Sequence, residues 1–199
     1  MQALAVAGQP AFDTRNWDVG DRMPQNQPLA TGWIDLEDVD SDANDLRHRG
    51  RAKGAAVFAR GEGICYANGE IVMTCTIGGP DRLGQIFAWR PDATDAGAGH
   101  SRGRGHLRLI AESKPDSLLR NADNIVLSPW GDLVICEDTA RHCGVLGMRP
   151  DGQQYPIADN AWTKSELAGI TFSPDGSILF LNIQNEGLTL AISGPWPKS

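Results

Sequence analysis

Apolar and polar positions along this chain fall into short runs separated by turn signals, and from residue 58 onward those runs repeat with one grammar. Each unit opens with an acidic residue and a small apolar strand: Glu62 to Tyr66, Asp123 to Leu127, and Glu166 to Phe172. A turn follows in each, Ala67-Asn68-Gly69-Glu70, Ser128 to Asp132, and Ser173 to Ser177. Its glycine supplies the positive φ that folds the chain back as a hairpin. Second strands come next, Ile71 to Cys75, Leu133 to Cys136 and Ile178 to Asn182, and then third strands that begin with glycine at Gly84, Gly144 and Gly187. Arg90 to Asp92 and Arg149 to Asp151, both Arg-Pro-Asp, read as turns closing two of these units.

The turn glycines Gly131 and Gly176 are 45 residues apart, and Gly144 and Gly187 are 43 apart. Gly69 to Gly131 is 62, the excess being a Gly/Arg-rich stretch from Thr94 to Gly105 that reads as an inserted loop. A period of about 40–45 residues with three or four strands per unit is the signature of propeller blades. The fold expected is therefore all-β, a partial β-propeller of about three to four antiparallel blades; a sandwich with chance-alike hairpins is the alternative. Residues 51–199 would form the blades as one domain. Residues 1–50 read as an irregular N-terminal segment with one edge strand near Gly32–Leu36, and the acidic run Asp35 to Asp45 reads as a solvated loop.

Composition narrows the partners. Gly 23 and Pro 12 in 199 residues suit a turn-rich β protein. A net charge of −7 disfavours a nucleic-acid backbone as partner. No stretch approaches the roughly 20 apolar residues of a membrane span. Met1 to Ala7 is apolar but has no basic leading segment and is short for a secretory signal, so no export signal is expected here. Cys65, Cys75, Cys136 and Cys143 form no CxxC pair and lie mostly in apolar runs, which points to buried free thiols, a disulfide being the other reading. His48, His100, His106 and His142 show no metal-binding spacing and read as solvated loop residues, and Ser101 has no GxSxG setting.

The acidic residues carry the chemistry. Innermost propeller strands line a central channel, so Glu62, Asp123 and Glu166, one per unit at the same phase, are expected at one shared mouth. Antiparallel return of the second strand brings Glu137 and Asp138 to the same end. Two carboxylates about 4 Å apart repel by roughly 4 kcal/mol at an effective dielectric of 20. Such a group therefore protonates or takes cations, and oxygen-only donors select calcium first, then magnesium or manganese. Asn124 adds a neutral amide oxygen. Arg60, two residues before Glu62, shares its strand face and is suited to clamp a phosphate or to neutralise Glu62.

Several segments together resemble the PhoX family of calcium-dependent alkaline phosphatases. They are Gly54 to Gly63 with its Arg-Gly-Glu-Gly, Thr76-Ile77-Gly78-Gly79 with Gly84-Gln85-Ile86, Ala122-Asp123-Asn124-Ile125, Cys136-Glu137-Asp138, Ser165 to Gly169, and Ile192 to Trp196. The resemblance covers about residues 54 to 196 and implies a bacterial phosphomonoesterase, periplasmic or extracellular, acting on small phosphate esters. It implies Ca2+ and Fe3+ in the site, with Glu62, Asp123, Asn124, Glu137, Asp138 and Glu166 toward the metals and Arg60 on phosphate. Ala122 departs from the family's usual proline, and Asn185-Glu186-Gly187 from its Pro-Gly turn. Family members are longer, and their N-terminal part supplies a cysteine thiolate to iron; three or four blades would need those missing blades, or self-association, to close a ring. Two other readings stay open at this point, a calcium-dependent sugar lactonase and a non-catalytic, metal-stabilised scaffold.

Overall fold

The computed structural model describes residues 1–18, 20, 22–93 and 103–197. Among the described residues, thirteen strands and one short helix follow in chain order. They are β1 (Gln2–Val6), β2 (Leu29–Asp35), α1 (Leu46–Ala52), β3 (Gly61–Ala67), β4 (Glu70–Cys75), β5 (Gln85–Pro91) and β6 (Gly105–Glu112). Then come β7 (Ala122–Leu127), β8 (Leu133–Glu137), β9 (Gly144–Met148), β10 (Gln154–Asp159), β11 (Leu167–Phe172), β12 (Ile178–Ile183) and β13 (Leu188–Ser193).

These strands make three antiparallel sheets, ordered β1-β2-β6-β5-β4-β3, β10-β9-β8-β7 and β11-β12-β13. We call them blades I, II and III. The innermost strand of blade II, β7, packs between β3 and β11, so the three sheets fan out from neighbouring inner strands as blades of a partial propeller. The turns at the far ends of the inner hairpins behave as their sequence requires. Asn68 and Gly69 take φ of 52° and 84°, the pair of positive values that a two-residue hairpin of this hand needs.

Each interface between blades is an apolar layer. Val72, Ile86 and Ala88 of blade I meet Ile125, Ile135 and Leu146 of blade II. Val134, Cys136 and Val145 of blade II meet Ile170, Leu179 and Leu181 of blade III. Full burial of one such Leu, Ile or Val side chain is worth about 1.5–3 kcal/mol. Polar side chains lock the first interface. The buried Thr74 hydroxyl accepts from Gly63 N–H at 2.8 Å and donates to the carbonyl of Asp123. Thr76 Oγ1 donates to Ala122 O at 3.0 Å, and Asn121 Nδ2 donates back to Thr76 O at 2.9 Å. The backbones come so close that a Cβ on Gly63 would stand 2.6 Å from Asp123 O.

The N-terminal region departs from expectation. Instead of one edge strand near 32–36 it supplies β1 and β2, which extend blade I, and α1, which crosses the expected boundary at residue 50. Leu4, Met23, Phe87, Leu107 and Leu109 form a third apolar cluster, with Phe12 and Phe58 packed against it, so this region covers the outer face of blade I. The five-residue β1 is short and belongs to no repeat, although Gly8-Gln9-Pro10 marks the turn that follows it. The acidic segment after β2 is an exposed loop, as read.

Arg90 and Pro91 are also not a turn: they continue β5, with Pro91 opposite Gly105 in β6. The inserted-loop reading of Thr94 to Gly105 falls almost wholly outside the described residues, as do His100 and Ser101. His106 lies on β6 and pairs with Asp92 at 3.1 Å rather than sitting in a loop. All four cysteines are free thiols, three of them buried.

Candidate functional site

One repeated hydrogen bond defines the mouth. Thr76 N–H donates to Arg60 O at 3.0 Å, Asp138 N–H to Asn121 O at 2.9 Å, and Gln184 N–H to Glu166 O at 3.1 Å. Each joins the residue just after a second strand to the residue just before an inner strand. Arg60, Asn121 and Glu166 are therefore structural equivalents, and so are Thr76, Asp138 and Gln184.

Glu62 and Asp123 both stand two residues further in, at bulges between Gly61 and Ile64 and between Ala122 and Ile125. A bulge re-aims side chains that a regular pleat would send to opposite faces. In blade III the bulge comes between Ala168 and Thr171, and Ala168 takes the place of Glu62 and Asp123. The expectation that Glu62, Asp123 and Glu166 share one phase thus holds for the first two only. Glu166 occupies the position that Arg60 holds in blade I.

The side chains nevertheless converge. Arg60 Nε lies 3.1 Å from Glu62 Oε1 and its Nη1 lies 2.8 Å from Asp138 Oδ2, joining blades I and II. Burial, then the charges of Glu166, Glu62 and Asp138, push the Asp123 carboxyl up to about 6, with Arg60 opposing. Glu166 is likewise raised, by burial and by Asp138 and Glu62, again against Arg60. Arg60 has a φ of 56°, which is uncommon for a residue with a side chain, and Asn121 has 46°. Such backbone persists where the surroundings enforce it and clusters at functional sites.

Two sequence candidates are placed differently. Glu137 is only 6% exposed, and its oxygens accept from Arg120 N–H at 2.7 Å and Gly144 N–H at 2.9 Å. It braces blade II while its neighbour Asp138 faces the mouth. Asn124 orients rather than opens: its Nδ2 donates to Asp123 Oδ1 at 2.7 Å and its Oδ1 accepts from Gly169 N–H. Blade III thereby steadies the carboxylate of blade II. Asn121 and Thr76 fasten the mouth; the sequence marked Thr76 only as the start of Thr76-Ile77-Gly78-Gly79 and gave no sign of Asn121.

Among the described residues no group of three or more His, Cys, Asp or Glu is gathered closely enough to hold a metal as it stands. The donor chemistry still fits a hard cation. Arg60 contacts Glu62 and Asp138, and the carboxyls of Asp123 and Glu166 are raised first by burial and then by the neighbouring carboxylates, so oxygen donors with little cationic compensation lie together. Burial pushes Cys65 up to about 11 and Cys75 and Cys136 up to about 12, and raises Cys143, so these thiols stay neutral.

Against known proteins, the sequence pattern of the family described as Alkaline phosphatase PhoX matches residues 2–187. That match takes in β1, β2 and α1, well upstream of the segments that carry the resemblance by eye. No curated protein matches the chain. Among solved structures, a streptogramin B lyase is similar with 17% identity and a TM-score of 0.42, over 85% of this chain and 49% of its own. The chain thus spans about half the length of that protein. A catalytically inactive virginiamycin B lyase from Staphylococcus aureus, with quinupristin, is 12% identical with a TM-score of 0.47, over 99% of this chain and 76% of its own. At these values the likeness transfers no chemistry.

Proposed function

We propose that this chain, which belongs to the PhoX alkaline phosphatase family, hydrolyses small phosphate monoesters in the mouth formed by Arg60, Glu62, Asp123, Asp138 and Glu166. The observation that carries the reading is that Arg60 bridges Glu62 and Asp138 of two blades, with Asp123 and Glu166 near enough for the charges of this group to act on them.

A phosphate dianion cannot approach that many carboxylates unaided, so the reading includes calcium held by Glu62, Asp123, Asp138 and Glu166. When bound, it would neutralise those charges and polarise a phosphoryl oxygen. The remaining work belongs to the chain itself. Arg60 uses two of its nitrogens on Glu62 and Asp138, and its other N–H groups are available to grip the equatorial phosphoryl oxygens. Asn124 fixes the rotamer of Asp123, and the Thr74–Asp123 and Asn124–Gly169 hydrogen bonds keep three blades in register under the site. An exported working place accompanies this reading, since the family is typically exported; no described helix is long and apolar enough to cross a membrane.

The test is hydrolysis of p-nitrophenyl phosphate by the full chain with and without calcium. Glu62→Gln and Asp123→Asn should each lower kcat/KM at least about 100-fold and remove a calcium-induced rise in Tm. Arg60→Lys keeps the charge but loses the planar fork and should cost about 10-fold or more. Unchanged turnover in Glu62→Gln would sink the assignment. One observation favours a second reading: Arg60 already bridges two of the carboxylates. A non-catalytic scaffold would show the calcium-dependent rise in Tm and hydrolyse neither phosphate esters nor lactones.

A further inference from the structure

The rim of blade I carries a feature that the phosphate site does not use. Trp17 is fixed by its indole N–H donating to Ile77 O at 2.8 Å, one residue beyond the mouth residue Thr76. Two guanidiniums stack on its ring, Arg15 with its carbon 4.1 Å from the centroid and Arg82 at 4.3 Å. Gly79 N–H donates to Arg15 O at 2.8 Å, and Asn121 Nδ2 donates to Arg82 O at 3.2 Å. The same Asn121 amide binds Thr76 O, and Thr76 N–H holds Arg60 O. A short run of hydrogen bonds therefore fixes the stacked group to the backbone that presents Arg60.

The two arginines differ in what they have left to offer. Arg15 spends its edge on Asp13, with Nε to Oδ1 at 2.8 Å. Arg82 is exposed, and its side-chain N–H donors meet no acceptor among the described residues. Its guanidinium carbon lies over the Trp17 ring, which leaves its N–H groups for a ligand. Stacking of this kind costs the fork much of its rotational freedom in advance, and a pre-set guanidinium edge matches an oxyanion with two parallel hydrogen bonds. The backbone at Arg82 has a φ of 56° and that at Asn16, next to Trp17, has 57°. Two residues with side chains thus adopt uncommon conformations at the place where the stack is built.

We propose that Arg82, stacked on Trp17, is an accessory subsite at the mouth rim for a second oxyanion of the substrate, a carboxylate or a further phosphate remote from the scissile ester. It rests on the phosphatase reading above and extends it to substrate class: organic phosphates that carry another negative group. Arg82 is a specificity-determining residue here, since Arg60 serves the reacting phosphate.

The test pairs 3-phosphoglycerate with glycerol 3-phosphate, which differ by a carboxylate in place of a hydroxymethyl group. With calcium present, kcat/KM and calorimetric Kd are measured for both in the wild-type chain and in Arg82→Gln. The wild type should prefer 3-phosphoglycerate about 10-fold, mostly through KM, and the preference should fall toward one in Arg82→Gln. Trp17→Leu, which removes the stack but keeps Arg82, should weaken the preference to an intermediate value. Equal Kd values for the two ligands in the wild type, or a preference retained in Arg82→Gln, overturn the subsite. If neither ester is hydrolysed while the binding preference appears and is lost in Arg82→Gln, the subsite stands and the phosphatase reading falls.

Discussion

Asp123 carries much of the electrostatic tension in the mouth. It is buried beside Glu166, Glu62 and Asp138, and its carboxyl is held at about 6 against an ordinary 3.8. In calcium-free protein the folded state therefore binds this proton more tightly than the unfolded chain. Its favourable contribution is full below about pH 3.8 and is lost as pH rises through about 6. Asp123→Asn removes that dependence while keeping an acceptor for Asn124. Without calcium it should raise stability at pH 8 by about 1–2 kcal/mol, or roughly 2–8 °C in Tm, and the gain should fade toward pH 4. Melting curves at the two pH values check this, and an equal gain at both would contradict it. Calcium should reverse the order at pH 8, because the asparagine gives up a ligand charge. That Asp123 and Glu62 matter was legible from acid-then-apolar starts in the sequence. That Glu137 points into blade II was not, because its two amide donors, Arg120 and Gly144, come from loops whose course no periodicity reveals.

At the scale of elements, the inner strands β3 and β7 touch through backbone. Gly63→Ala would drive a methyl group to 2.6 Å from Asp123 O, where no flexible side chain can yield. The expected cost is about 1–3 kcal/mol, with a fall in Tm of roughly 2–12 °C. Gly61→Ala is the companion measurement, since a Cβ there meets nothing nearer than Thr74 O at 4.0 Å. It should cost less than about 1 kcal/mol, and equal melting of the two variants would refute the close-contact account. Thr74→Val should cost about 1–3 kcal/mol by leaving Gly63 N–H and Asp123 O unpaired in the interior. The hairpins themselves were readable: the turn glycines Gly69, Gly131 and Gly176 all take positive φ. The phase of blade III was not. Its bulge falls beside Ala168, so an acid-by-acid alignment slides Glu166 onto a place it does not hold.

At the scale of the molecule, blades II and III are joined by a stack formed near the end of the described chain. Trp196 lies 5.6 Å from Trp130 at an interplanar angle of 18°, meets Phe172 edge-on at 5.9 Å, and donates its indole N–H to Ser177 O at 2.8 Å. Trp196→Ala should lower stability by about 1–3 kcal/mol, and hydrogen exchange should rise in β11 to β13 before β3 to β6. Uniform loss of protection would count against this account. The repeat period made the blade arrangement legible from sequence, because each hairpin keeps its own turn chemistry. The outer cover of blade I was not, since Phe12 and Met23 belong to no repeat and find Phe87 and Leu107 only through the fold.

The repeated hydrogen bond at the mouth has a wider consequence for how this scaffold can vary. Arg60, Asn121 and Glu166 hang from the same peg on three blades, one cationic, one neutral and one anionic. Swapping the residues on those pegs re-deals the polarity of the opening without redrawing a single sheet. A double exchange of Arg60 and Glu166 would carry the positive charge from one side of the opening to the other, with the glutamate then taking the positive φ that Arg60 holds.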